Sequence, residues 1–361
     1  MSGDRKDDHV RLATEQNRDR HRRNDFDDVR FVHHALGAAD IEAVSLRTRV
    51  GAMDWPVPLY INGMTGGSDA TAIVNRDLAV VARETGIPIA SGSMSPVFKD
   101  RDTTGGFRVL REENPSGIVL ANLSANATPE QAHEAVGILG ADALQIHVNA
   151  VQELVMPEGD RSFTHWPENI ASIAASLDVP VVVKEVGFGM SGETVAELAR
   201  LGVGVVDVSG RGGTDFAAIE NARRTGADFA VLSGWGQSAV GGLLDSRAAA
   251  EDARVTLLAS GGVRTPLDVV RALALGASAV GVAGGFLRIL RQDGRDALIA
   301  EIRRWLEQIT AITALLGQTS PAGLRNTDVV ITGEVREFCQ ARGIDITAYA
   351  TRRGTGKDTL S

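Results

Sequence analysis

Three observations predict an α/β fold of the TIM (β/α)8 barrel type with N- and C-terminal extensions. Eight short β-branched or apolar runs alternate with longer amphipathic stretches along the 361 residues, the pattern of repeated strand and helix units. Glycine is abundant (40 residues) and aromatic residues are sparse (4%), as expected where many short strands and turns meet Ala- and Val-rich helices. Two glycine-rich turns, Ser260–Thr265 and Ala283–Gly285, follow the last two runs, the position where such barrels commonly hold phosphate groups.

The predicted strands are, in order, Pro58–Asn62, Ile87–Ser91, Ile118–Asn122, Ala143–His147, Val181–Glu185, Val205–Ser209, Val255–Ser260 and Ala279–Ala283. Between them lie helices such as Thr71–Thr85, Pro129–Leu139, Trp166–Leu177, Ser191–Leu201 and Pro266–Leu275, with Thr85-Gly86 and Leu201-Gly202 as C-terminal stops. The first fifty residues fall outside the repeat. Within them residues 5–30 are densely charged and read as a solvated or partly mobile arm. After the repeat, Ala297–Leu316 reads as a long amphipathic helix, Glu334–Ala341 as a shorter one and Arg352–Ser361 as a frayed tail. The expected organisation is an arm over residues 1–50 that contributes to the active site, a barrel over 51–295, and helices and tail over 296–361 packed on the barrel.

Composition excludes several classes of function. A formal charge of −9 argues against a general nucleic-acid binder, which needs a basic surface. The single cysteine, Cys339, excludes an intrachain disulfide and a multi-cysteine metal site and reads as a small apolar residue on a terminal helix. No apolar run is long enough to span a bilayer and the charged N-terminus reads as no signal peptide, so a cytoplasmic protein with no membrane partner is expected.

In such a barrel the C-terminal ends of the strands share one mouth, where the chemistry sits. The residues falling there are Asn62–Gly67, Ser91–Met94, Asn122, His147–Asn149 with Gln152 and Glu153, Lys184 and Glu185, Ser209–Thr214, and the two glycine turns. The set is small, polar and low in charge. It suits a flat hydrogen-bonding cofactor with a phosphate, and flavin mononucleotide (FMN) fits that description.

Seven motifs in order, RKDDH at Arg5–His9, NGMTGG at Asn62–Gly67, SGSM at Ser91–Met94, HVNAVQE at His147–Glu153, VVKEVGFG at Val182–Gly189, GRGGT at Gly210–Thr214 and SGGVR at Ser260–Arg264, make the whole chain resemble the type 2, flavin-dependent isopentenyl-diphosphate isomerases. The resemblance implies isomerisation of isopentenyl diphosphate to dimethylallyl diphosphate by proton addition and abstraction at reduced FMN, with Mg2+, NADPH as reductant and a homo-oligomeric assembly. It implies that Met64, Thr65, Gly66, Ser93, Asn122, Lys184 and Thr214 bind the flavin. Lys184 would stabilise the anionic reduced ring. Gly262, Val263 and Arg264 with Ala283, Gly284 and Gly285 would take its phosphate. Arg5, Lys6 and His9, with His147, Asn149 and Gln152, would meet the substrate; Gln152, His147 and Lys184 form the catalytic set, Gln152 handling the proton, and Glu153 the Mg2+ ligand. Some relatives carry an arginine where this chain has Ser95, which leaves the number of basic diphosphate contacts open.

Two alternatives remain at this level. The α-hydroxy-acid oxidases are also FMN barrels, but they place a catalytic histidine just after strand six, where this chain has Arg211, and all seven histidines lie at or before His165. An IMP-dehydrogenase-like reading needs a loop cysteine, and Cys339 lies far beyond the barrel. A non-catalytic phosphate-ligand barrel is the other alternative, and it leaves Lys184 and the HVNAVQE cluster without a purpose.

Overall fold

Strands that read as near-continuous Val, Ile, Leu and Ala are buried on both faces, which is what a parallel barrel wrapped in helices requires. In the computed structural model of the chain, which describes residues 11–16, 23–63, 66–224 and 229–354, the predicted runs form one closed barrel of eight parallel strands. They are Leu59–Ile61, Ile89–Ala90, Val119–Ser124, Ala143–Val148, Val181–Glu185, Val205–Asp207, Thr256–Ser260 and Ala279–Val282. Each pairs with its neighbours in sequence, and the eighth closes onto the first through Val280 opposite Leu59. The fold is therefore a TIM barrel.

Local sequence accounts for the helix boundaries. Ser68 and Thr128 each form a capping box, opening Asp69–Thr85 and Pro129–Leu139, while Gly86 and Gly140 end them in the left-handed conformation at φ 72° and 51°. Trp166–Ser176, Gly192–Arg200 and Pro266–Ala274 follow within a residue of expectation, as do the boundaries of the terminal helix Gly333–Arg342; Arg295–Leu315 begins two residues early. Among the described residues no helix is long and apolar enough to cross a membrane.

The barrel interior is layered by the period-two geometry of strands. Its lower layer is apolar: Leu120, Ala143, Val182, Val205, Leu258 and Ala279 are buried together. A hairpin, Thr48–Val50 with Met53–Trp55, closes the floor. Its Val50 and Trp55 are fully buried, and the Trp55 ring meets Tyr60 edge-on at 5.4 Å between centroids. The outward residues, Val119, Ala121 and Leu123 for example, pack under the helices.

Two expectations need correction. Residues 23–30 are not a solvated arm. Asp25–Asp28 forms a turn of 3-10 helix with Phe26 and Asp28 buried, and Val29–Phe31 pairs antiparallel with Val329–Ile331 near the other end of the chain. The charged composition hid two apolar anchors, Phe26 and Val29, and ion pairs that consume the charge: the Arg264 guanidinium grips Asp27 at 2.8 and 2.9 Å and holds its carboxyl down to about 2. Residues 11–16 are helical, and the Gln16 amide exchanges two bonds with the Asp215 backbone at 2.9 and 3.2 Å. Nor are residues 352–354 frayed. Arg352 lies over the Tyr349 ring at 3.6 Å and donates to the Ala274 carbonyl, and the Arg353 amide donates to Asp328 at 2.8 Å. The rest of the expected tail, 355–361, lies outside the described residues.

Candidate active site

One step further along each strand the same inward alternation turns polar. Asn62 lies two residues after Tyr60, Asn122 after Leu120, Gln145 and then His147 after Ala143, Lys184 after Val182, Asp207 after Val205, and Ser260 after Leu258. Above this layer opens a cavity of about 1090 Å3, more than the ~300–1,000 Å3 of a typical ligand pocket and so roomy enough for a cofactor beside a second small molecule. Its wall gathers Ser93, Asn122, His147, Asn149, Gln152, Glu153, Lys184, Thr214, Gly262, Val263, Arg264, Ala283, Gly284 and Gly285. Gly66 is buried, and the Phe107 ring occupies the space a Cβ on it would need. Arg5, Lys6, His9, Met64 and Thr65 lie outside the described residues.

Sequence reasoning missed the group at the centre of the polar layer. Asp207 is fully buried and accepts from Tyr60 Oη at 2.7 Å, Asn62 Nδ2 at 3.2 Å, the Ser209 amide at 2.9 Å and Ser260 Oγ at 2.9 and 3.0 Å. Burial and the adjacent carboxylate hold the Tyr60 hydroxyl well above its ordinary pKa. Gly281 makes this possible, since a Cβ there would sit 2.6 Å from the Tyr60 ring. From Asn62 the bonds continue through Gln145 and Asn122 to His147 Nδ1. A lone acid inside an otherwise apolar VVDV run was the available signal.

The loop after strand four holds a second cluster. Gln152 is 9% exposed, donates to the buried Glu220 at 3.1 Å and accepts from Asn149 Nδ2 at 3.2 Å. Glu220, in helix Phe216–Ala222 and also missed, is ion-paired to Arg223. Asn149 Nδ2 also reaches Glu153 Oε1 at 3.0 Å, and the Asp160 amide donates to Glu153 Oε2 at 2.9 Å. Asn149 Oδ1 is buried without a partner among the described residues, an acceptor left for something in the cavity. Among the described residues no three His, Cys, Asp or Glu side chains converge as a metal cage. Glu153 could therefore hold a hard cation only together with ligand oxygens or water, which is the usual habit of Mg2+.

Lys184 is 8% exposed and donates to the Glu185 carbonyl at 2.7 Å, with its remaining N–H bonds available to the cavity it lines. Glu185 faces away into the barrel wall, where the Phe188 and Gly189 amides donate to one carboxylate oxygen at 2.5 and 2.8 Å. Burial pushes its pKa from 4.5 up to about 7 against those amides and Lys184. Because the folded state binds this proton more tightly, its stabilisation is full below about pH 4.5 and lost as pH rises through about 7. Glu185→Gln keeps an oxygen for both amides but cannot titrate. Relative to it the wild type is expected to lose on the order of 3 kcal/mol between about pH 4.5 and pH 8 in urea denaturation, and parallel pH curves would refute the assignment.

The two glycine turns are not equivalent. Helix Pro266–Ala274 is already capped by its own Thr265, and Asp268 takes both the Arg264 amide at 3.1 Å and part of its guanidinium. Arg264 is thus a brace between Asp27 and Asp268. Helix Gly284–Asp293, by contrast, has no side-chain cap at Ala283, so its first amides and positive dipole end are open to an anion. Gly261 and Gly262, at φ 82° and 73°, bring the preceding turn's backbone alongside. An uncapped helix end, an ammonium and a ring of amides fit the phosphate and polar ring edge of FMN.

Arg211 spans the rim, 3.6 Å from Asp25 and 3.8 Å from Glu334, tying both extensions to the loop after strand six.

Residues 95–331, more than half of the chain, match the family described as FMN-dependent dehydrogenase. The class defined by fold and site is therefore an FMN-dehydrogenase-type barrel. An isopentenyl-diphosphate delta-isomerase of Nocardia farcinica is 58% identical over 98% of this chain and 96% of its own length, and that of Kitasatospora griseola is 57% identical over 100% and 98%. A mandelate oxidase variant solved with benzaldehyde superposes with a TM-score of 0.65 at 18% identity, covering 91% of this chain and 94% of that one, a likeness of fold alone. Within that class, the chain belongs to the isopentenyl-diphosphate delta-isomerase family.

Proposed function

We propose that this chain converts isopentenyl diphosphate to dimethylallyl diphosphate on reduced FMN, with Mg2+ and with NADPH supplying the reducing equivalents. Bound in the mouth, FMN supplies electron density and a ring nitrogen able to exchange a proton beside the substrate. The amides opening helix Gly284–Asp293 and the Gly262-Val263 backbone hold its phosphate, Lys184 compensates the negative charge of the ring, and Asn122, Ser93 and Thr214 meet its edge. Gln152, held by Glu220 and Asn149, moves the proton at the reacting carbons. Arg5, Lys6 and His9 meet the diphosphate together with His147 and Asn149, and Glu153 would hold the metal, whose charge would offset that of the diphosphate. Few charges and little water suit a reaction with cationic character, since a strong nucleophile would quench it.

The observation that carries this reading over hydroxy-acid oxidation is Arg211, which occupies the place where the oxidases carry their base and whose guanidinium is tied to Asp25 and Glu334. The test is an assay on isopentenyl diphosphate with FMN, Mg2+ and reductant varied independently. Turnover should require reduced flavin yet consume no stoichiometric reductant; product formation with fully oxidised flavin, or one NADPH per product, would sink the proposal.

Replacing Glu153 with Gln removes the anion that recruits the metal while leaving most of its hydrogen bonding in place. The Mg2+ dependence of turnover is expected to move at least ~10-fold to higher concentration, with flavin content normal. An unchanged Mg2+ titration would reject this role.

A further inference from the structure

A carboxylate can only accept hydrogen bonds, whereas a carboxamide has one donating and one accepting end, so a row of amides starting from a carboxylate has its direction set at the first link. In the polar layer that row begins at Asp207. Asn62 turns its Nδ2 to Asp207 Oδ2 at 3.2 Å, which presents Asn62 Oδ1 to the Gly63 amide at 3.0 Å and to Gln145 Nε2 at 3.4 Å. Gln145 Oε1 then faces Asn122 Nδ2 at 2.8 Å, and Asn122 Oδ1 is left for His147 Nδ1 at 2.9 Å. The last atom in the row is an acceptor, so His147 Nδ1 must carry a proton.

We propose that Gln145, oriented from Asp207, is a positioning residue that fixes His147 as its Nδ1–H tautomer. In the neutral ring Nε2 is then the acceptor, on a side chain that lines the cavity. Gln145 is suited to this task and to no other visible one: it is fully buried, it lies in register between Asn122 and Val182, and it spends its amide on the two neighbouring amides. Neutral imidazole in water prefers the opposite, Nε2–H tautomer, so the network works against the intrinsic preference and its effect is measurable. The catalytic consequence rests on the reading of His147 as a substrate-facing group; the tautomer itself does not.

The experiment is nitrogen-15 NMR of histidine-labelled, FMN-replete protein above the pH at which His147 titrates, the resonance assigned by its loss in His147→Gln. The wild type should show Nδ1–H. Gln145→Met, which keeps volume but removes the acceptor for Asn122, should shift the ring to Nε2–H or to an exchanging mixture, while the other histidine signals report an intact fold. Gln145→Leu is the substitute if the Met variant misfolds. Gln145→Glu, whose oxygens still accept from Asn122, should restore Nδ1–H. In parallel, Gln145→Met should lower kcat on the order of 10–100-fold with KM within about twofold, and Gln145→Glu should recover most of it. An Nε2–H ring in the wild type, an unchanged tautomer in folded Gln145→Met, or loss of Nδ1–H in Gln145→Glu would each overturn the proposal. Absence of isomerase activity in the wild type would instead overturn the functional reading and leave the tautomer result standing.

Discussion

Asp207→Ala is expected to lose about 4 kcal/mol or more of folding stability, a large part of the ~5–15 kcal/mol available to a domain. The carboxylate takes hydrogen bonds from Tyr60, Asn62, Ser209 and Ser260 while itself fully buried. Truncation strands these buried donors, at about 1–3 kcal/mol for each that finds no new partner, and leaves a void inside the barrel. Asp207→Asn keeps the shape and at least one acceptor, so it should lose markedly less. Urea denaturation of the two variants checks the contrast. A loss below about 1 kcal/mol in the alanine variant would mean that the donors are satisfied without Asp207.

Gln152→Ala is expected to lower kcat about 10²–10⁴-fold, the range that a positioned proton-transfer group contributes, with KM and flavin content little changed. Its amide is held on one side by Glu220 and on the other by Asn149, so the side chain waits in one orientation and its loss removes a transition-state contact more than a binding one. Glu220 stays paired with Arg223 in the variant, which protects the fold. Arg5→Ala supplies the contrast: loss of a charge-assisted diphosphate contact worth about 1.5–3 kcal/mol should appear mainly in KM. Wild-type turnover in Gln152→Ala, measured on FMN-replete protein, would remove Gln152 from the mechanism.

Much of this site follows from local rules. His147, Lys184 and Asn122 lie near the C-terminal ends of their strands, and those ends share the mouth of a barrel, so their meeting could be foreseen once the eight runs were counted. Glu185 was foreseen at the mouth too, yet the amides of Phe188 and Gly189 hold its carboxylate in the wall. Arg264 read as an anion ligand in its glycine turn, but Asp27, 237 residues away in sequence, claims its guanidinium. Local pattern says which residues can reach a place and is silent on which partner reaches them first.

By itself the sequence determined the strands, the capped helices and the glycine turns, because alternation, Ser and Thr caps and glycine stops act over a few residues. Only the tertiary structure decided three things. It joined Val29–Phe31 to Val329–Ile331, a pairing that no local periodicity encodes. It gave the Arg264 guanidinium to Asp27, far away in the chain. And it laid Asp207, Asn62, Gln145, Asn122 and His147 end to end across four strands. The direction of that row follows from a carboxylate that can only accept, and closure of the barrel brings its members within hydrogen-bond reach.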